Sequence, residues 1–159
     1  MLAVDREHGS LVGRDDELRR LISAITSDRP TVVVGEAGVG KTSLVRAAVD
    51  AAGLQLHEGG GFATLASMPY LALRVAAIVE RHVGPDVLFI DDLQWVDPAS
   101  MEALACLVGR VVVLAADRTD EAGAEPAAAR ADRLGLDPFA IGALTDGDAR
   151  RYLAQERPE

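Results

Sequence analysis

Gly35 to Thr42 reads GEAGVGKT: a glycine, four residues, a second glycine, a lysine and a hydroxyl. That spacing serves one kind of chemistry. Glycines let a short turn close so that successive backbone N–H groups point inward at an anion. A helix starting there adds the positive end of its dipole. The lysine reaches the outer oxygens of a phosphate chain as a compact charge, and the Thr42 hydroxyl suits Mg²⁺. Lys41 is the only lysine in the chain, which otherwise uses arginine. The wide planar fork of arginine would not fit inside such a loop, so at this position the chemistry overrides the arginine preference.

A phosphate loop of this type needs an acid opposite it. "VLFIDD", Val87 to Asp92, offers four apolar residues and then two aspartates. Asp91 is placed to bind the metal ion or accept from its water. Asp92 is placed to polarise an attacking water.

Elements must hold these groups in place. "TVVVG" before the loop reads as a short buried strand, β-branched on both faces, and "TSLVRAAVDAA" after it as a helix ended by Gly53. Leu18, Leu21, Ile22 and Ile25 recur at helical spacing, which predicts a helix over about Asp15–Thr26 with acids in its first turn. "LQLHE" alternates as a second strand, and "GGGFATLASMP" reads as loop. "YLALRVAAIVERHV" reads as helix, "VLFID" as a buried strand, "PASMEALACLVG" as a helix with Pro98 in its first turn. "VVVLAA" is another buried strand, "DRTDEAGAEP" a loop, "AAARADRL" a short helix and "GLDPFAI" extended. "TDGDARRYLAQ" is a last helix, with Thr145 and Asp148 spaced like a capping box. Alternating strand and helix predicts an α/β fold with an open parallel sheet; joined to the phosphate loop, it is expected to be a three-layer P-loop NTPase with a mainly parallel central sheet flanked by helices.

Composition narrows the rest. Hydrophobic residues make up 49% but aromatics only 4%, so the core is built from Ala, Val, Leu and Ile. The net charge of −9 gives no footprint for nucleic acid or an anionic membrane. The arginine pairs Arg19-Arg20 and Arg150-Arg151 read as solvated helix faces. Cys106 lies in an apolar run and reads as a small core residue. The three histidines make no zinc spacing. No apolar run reaches membrane-spanning length, and a cytoplasmic protein is expected. The base-specific motif of GTPases, N-K-x-D, cannot occur in a chain without asparagine or a second lysine.

"LVGRDDEL", "GEAGVGKTSLV" and "VLFIDDLQWVDPAS" occur in this order. They resemble the STAND-class, AAA+-like P-loop ATPases, and above all the ATPase module of large ATP-binding LuxR-type transcriptional regulators. "VVVLAADRTD" looks like that group's sensor segment, and "IGALTDGDARRYLA" like the entry to its helical lid. The resemblance implies ATP or ADP and Mg²⁺ as ligands. It places Val12, Gly13 and Arg14 beside the adenine or ribose. It places Gly35, Glu36, Ala37, Gly38, Val39, Gly40, Lys41, Thr42 and Ser43 on the phosphates. Thr42 and Asp91 serve the metal; Asp92, Lys41 and Arg118 serve hydrolysis, with Arg118 similar to a sensor arginine. Gln94 and Trp95 match the family motif, Trp95 as a packing residue at the edge of the site.

The departures are as specific. The interval from Lys41 to Asp91 is short for those relatives, as though a helix and a strand were missing. The expected organisation is a flexible N-terminus over 1–10, a P-loop ATPase core over 11–140 and the start of a truncated lid over 141–159. The chain is therefore expected to be a minimal paralogue or a fragment, without the winged-helix segment, repeat array or helix-turn-helix of full regulators. Two functional readings follow. One is a slow ATPase switch in signalling or transcriptional regulation. The other is a non-hydrolysing nucleotide-binding or interaction module working through a protein partner or self-association. A small-molecule kinase is weaker, because the arginines form no basic substrate lid. No direct nucleic-acid or membrane contact is expected.

Overall fold

Successive side chains of a strand point to opposite faces. A strand apolar at every position, such as "TVVV", therefore needs cover on both sides. The computed structural model, which describes residues 11–61, 86–119 and 125–155, meets this need with a sandwich. Five strands form one sheet: β1 (Thr31–Gly35), β2 (Gln55–Gly60), β3 (Asp86–Asp91), β4 (Val112–Arg118) and β5 (Asp137–Ala140). The order is β2-β3-β4-β1-β5, with every pairing parallel.

Val33, Phe89 and Leu114 face one layer of helices, α1 (Asp15–Thr26) and α2 (Lys41–Ala51), meeting Leu21, Ile25, Leu44 and Val45. Val32, Leu88, Ile90 and Ala115 face the other, α3 (Pro98–Leu107) and α4 (Ala127–Leu134), meeting Met101, Leu104, Ala131 and Leu134. The fold is thus the expected three-layer α/β sandwich, with a core of aliphatic residues around Phe89. A further helix, α5 (Asp146–Gln155), follows β5. Pro138, which has no N–H to donate, sits on β5 at the sheet edge, where such a residue is tolerated.

Three expectations need correction. The glycines after "LHE" are not all loop: Gly59 and Gly60 extend β2, paired opposite Ile90 and Asp91. The strand "VVVLAA" runs on through Asp117 to Arg118, so Arg118 ends β4 rather than lying on a loop beyond it. Cys106 is exposed, not core. α3 buries Ser100, Met101 and Leu104, and position 106 turns away from that stripe. The expected helix Tyr70–Val83, the loop before it, the first ten residues and 120–124 of the expected loop lie outside the described residues.

Candidate functional site

The phosphate loop runs from the end of β1 into α2. Gly40 caps α2 at φ +96, a left-handed value that the residue adopts without steric cost, and nothing lies within 4 Å of where its Cβ would be. The glycine is required by the turn, not by crowding. Lys41, the first residue of α2, is 7% exposed. Its Nζ donates to the carbonyls of Gly35 at 2.9 Å and Glu36 at 2.8 Å. An ammonium has three donors, so these bonds leave one for an anion. Burial first, then the positive charge of Arg118, hold the Lys41 ammonium below the usual lysine range; Asp91, Asp92 and Asp117 offset part of this. A phosphate arriving here meets a partly desolvated cation with a donor to spare.

β4 lies between β1 and β3, so the acidic strand is separated from the loop strand by one neighbour. This spacing lets Asp91 reach α2: Thr42 Oγ1 donates to Asp91 Oδ2 at 2.6 Å. The other oxygen, Oδ1, accepts from the Asp92 N–H at 2.9 Å. A hydroxyl and a carboxylate beside a phosphate loop form a hard, all-oxygen donor set of the kind Mg²⁺ takes, the ion keeping waters and phosphate oxygens for its remaining positions. Among the described residues no group of three or more His, Cys, Asp or Glu could hold a metal unaided; a Mg²⁺–phosphate site needs none.

Asp92 stands in the left-handed region at φ 50, at the start of a one-turn 3₁₀ helix, Leu93–Trp95. Aspartate is among the few side chains that accept this conformation, at some cost. Its Oδ1 accepts from Gln94 Nε2 at 2.9 Å and from Arg118 Nε at 3.1 Å. Arg118 is brought there because β4 pairs it with Gly35, at the mouth of the loop. Its backbone N–H donates to Asp117 Oδ1 at 2.8 Å. Asp117 is fully buried and takes both Nε and a second guanidinium nitrogen of Arg130, each at 2.8 Å. This planar two-bond pair ties the end of β4 to α4. Sequence reasoning missed both residues. An aspartate inside an apolar strand one position before Arg118 was the available signal.

Ala37, Gly38, Gly40, Lys41, Thr42, Ser43, Asp91, Asp92 and Arg118 together line one cleft of about 310 Å³. Val12, Gly13 and Arg14 do not line it. Arg14 is buried and donates to Glu17 at 3.0 Å and to the carbonyls of Val39 at 3.1 Å and Gly142 at 2.6 Å. It thereby clamps the loop and the segment after β5 to α1. Gly13 lies against Asp148 of α5, so close that a Cβ there would sit 2.2 Å from the carboxyl carbon.

Asp148 makes this contact titratable. The Thr145 hydroxyl first, and then Arg151 and Arg14, hold its carboxyl below the ordinary aspartate value of 3.8, against the opposing effect of burial. A depressed pKa contributes stability above the unfolded value, and that contribution is lost as pH falls through the folded one. Asp148→Asn is therefore expected to lower the melting temperature at pH 7 by on the order of a degree or two. The gap from wild type should close as the pH falls below about 3.8. Thermal melts of both proteins from pH 7 to pH 2.5 check this; a gap that stays constant would remove Asp148 from the pH response.

The parallel sheet, the glycine loop capping α2 and the acids on the strand beyond β4 define a P-loop nucleotide-binding module. In agreement, residues 10–83 match a family model described as an AAA ATPase domain. Among solved structures the chain is similar to a RuvB point variant from Thermotoga maritima, with a TM-score of 0.66 and 19% identity, covering 91% of this chain and 50% of that one. At that identity the likeness shows the fold, and the chain spans half the length of the structure it matches. No curated protein matches it. Among the described residues no helix is long and apolar enough to cross a membrane.

Proposed function

We propose that the chain binds Mg-ATP and ADP and acts as a slow ATPase switch in signalling or transcriptional regulation, in the manner of the STAND-class LuxR-type modules it resembles. One observation carries this reading: Lys41, the Thr42–Asp91 pair, Asp92 and Arg118 all face one cleft. Lys41 and the loop N–H groups bind the phosphates. Thr42 and Asp91 hold Mg²⁺, which when bound neutralises phosphate charge. Asp92 orients and deprotonates the attacking water, and Arg118 meets the outermost phosphate. The Asp92 carboxylate is shared with Arg118 and Gln94, so it must give up one of these contacts to meet water, which suits slow turnover. The segment Val12–Arg14 belongs to the nucleoside side, and adenine is favoured through the family likeness.

A second reading, a nucleotide-binding module without turnover, is favoured by that same Asp92–Arg118 ion pair, since a carboxylate oxygen taken by a guanidinium is not presented to water. In either case a protein partner or a second copy has a handle in the exposed Tyr152 and Leu153 of α5, 44% and 62% accessible. The acidic charge argues against nucleic acid, and a cytoplasmic setting is proposed. The deciding experiment is the nucleotide content of the purified protein after denaturation. Near-stoichiometric ADP is expected. Protein that carries none and also ignores added Mg-ATP would overturn both readings.

A further inference from the structure

The glycine run at the end of β2 is not explained by phosphate binding. Gly60 stands opposite Asp91, and the Gly61 N–H donates to the Asp91 carbonyl at 3.0 Å. The strand edge is thereby laid onto the turn that bears Asp92. A Cβ at Gly61 would fall 2.5 Å from the Trp95 carbonyl carbon, 2.6 Å from the Asp92 carbonyl oxygen and 2.7 Å from the Val96 nitrogen. All three are backbone atoms, so no rotamer change makes room and the contact between strand end and turn must shift. At Gly60 the nearest atom to a Cβ, the Asp91 carbonyl oxygen, is 3.4 Å away, which is close to ordinary contact.

One of these atoms bears directly on Asp92. The Asp92 carbonyl accepts from the Trp95 N–H at 2.9 Å and closes the one-turn helix. Displacing it rotates the residue that carries the candidate base, already held at φ 50. On the far side, Gln94 Nε2 anchors the same carboxylate at 2.9 Å. We propose that Gly61 and Gln94 are positioning residues for Asp92: the strand end fixes the backbone of its turn, and the amide fixes its carboxylate. This inference rests on the hydrolytic reading above and extends it to two residues outside the phosphate and metal contacts. A shift of about 1 Å in a reacting group costs on the order of a hundredfold in rate, so a base set by this contact is sensitive to it.

The experiment compares Gly61→Ala, Gly60→Ala and Gln94→Leu with wild type by phosphate release, Mg-ATP affinity and fluorescence. Trp95 is the only tryptophan and lies in the turn itself, so its emission reports the turn directly. Gly61→Ala is expected to shift the emission and lower turnover at least tenfold while ATP affinity stays within about twofold. Gly60→Ala should leave all three near wild type. Gln94→Leu removes the amide that holds the Asp92 carboxylate, so turnover should fall at least tenfold while ATP affinity again stays within about twofold. Gly61→Ala and Gly60→Ala behaving alike in emission and turnover, or affinity falling in step with turnover, would overturn the role of Gly61. If Gly61→Ala does not fold, turnover in Gln94→Leu that equals wild type, or that falls only in step with affinity, overturns the proposal. Wild type without turnover would instead sink the hydrolytic reading, and the emission comparison would still decide whether Gly61 sets the turn.

Discussion

Lys41→Ala should lower Mg-ATP affinity by about 10- to 150-fold, because a charge-assisted contact to phosphate is worth about 1.5–3 kcal/mol and the loop loses its one mobile cation. The fold should survive. Lys41 is buried at 7% exposure with its pKa lowered by that burial. Such an ammonium opposes folding below its folded pKa, and the opposition fades as pH rises toward the ordinary lysine value. Removing it relieves that cost. The carbonyl of Glu36, an exposed residue, is then free to take water in place of Nζ. The melting temperature is therefore expected within about 2 °C of wild type. Titration calorimetry with Mg-ATP, beside a thermal melt, checks both halves. Equal affinity in the two proteins would remove Lys41 from the site; a large loss of stability would mean that the lysine supports the loop rather than the ligand.

Asp92→Asn should leave Mg-ATP affinity within a fewfold and lower turnover by about 10²–10⁴, the range a positioned general base contributes. Asparagine keeps the shape and an oxygen that still accepts from Gln94 or Arg118, but it takes no proton from water. Two effects on binding oppose one another. A negative charge near the phosphates is lost, which favours ATP. Arg118 loses the partner it meets at 3.1 Å, which alters where its guanidinium rests. Phosphate release by pure mutant protein is the measurement, and an unchanged rate would take Asp92 out of the chemistry and leave the non-hydrolysing reading in place.

Much of this site was legible because its determinants are local. The loop needs particular residue types at consecutive positions, so Gly35 to Thr42 announces itself. The helix over Asp15–Thr26 follows from apolar spacing within four turns. The acids Asp91 and Asp92 stand out because aspartate is unexpected after four apolar residues. Cys106 was misjudged because α3 is apolar nearly all round, so composition did not reveal which stripe faces the sheet. Over Gly59 and Gly60 the absence of side chains weakens any strand pattern in the sequence. Pairing with Ile90 and Asp91 outweighs that local weakness.

The amino-acid sequence alone determined the class of fold, the phosphate loop with its lysine, and the acids that answer it, since each is written in residues adjacent along the chain. Only the tertiary structure decided the strand order that carries Arg118 to Asp92, the burial of Arg14 and of the Asp117–Arg130 pair, and the close approach of Gly61 to the turn that bears Asp92. Those depend on contacts between residues far apart in sequence, where sheet register and close packing, not local propensity, select the partner.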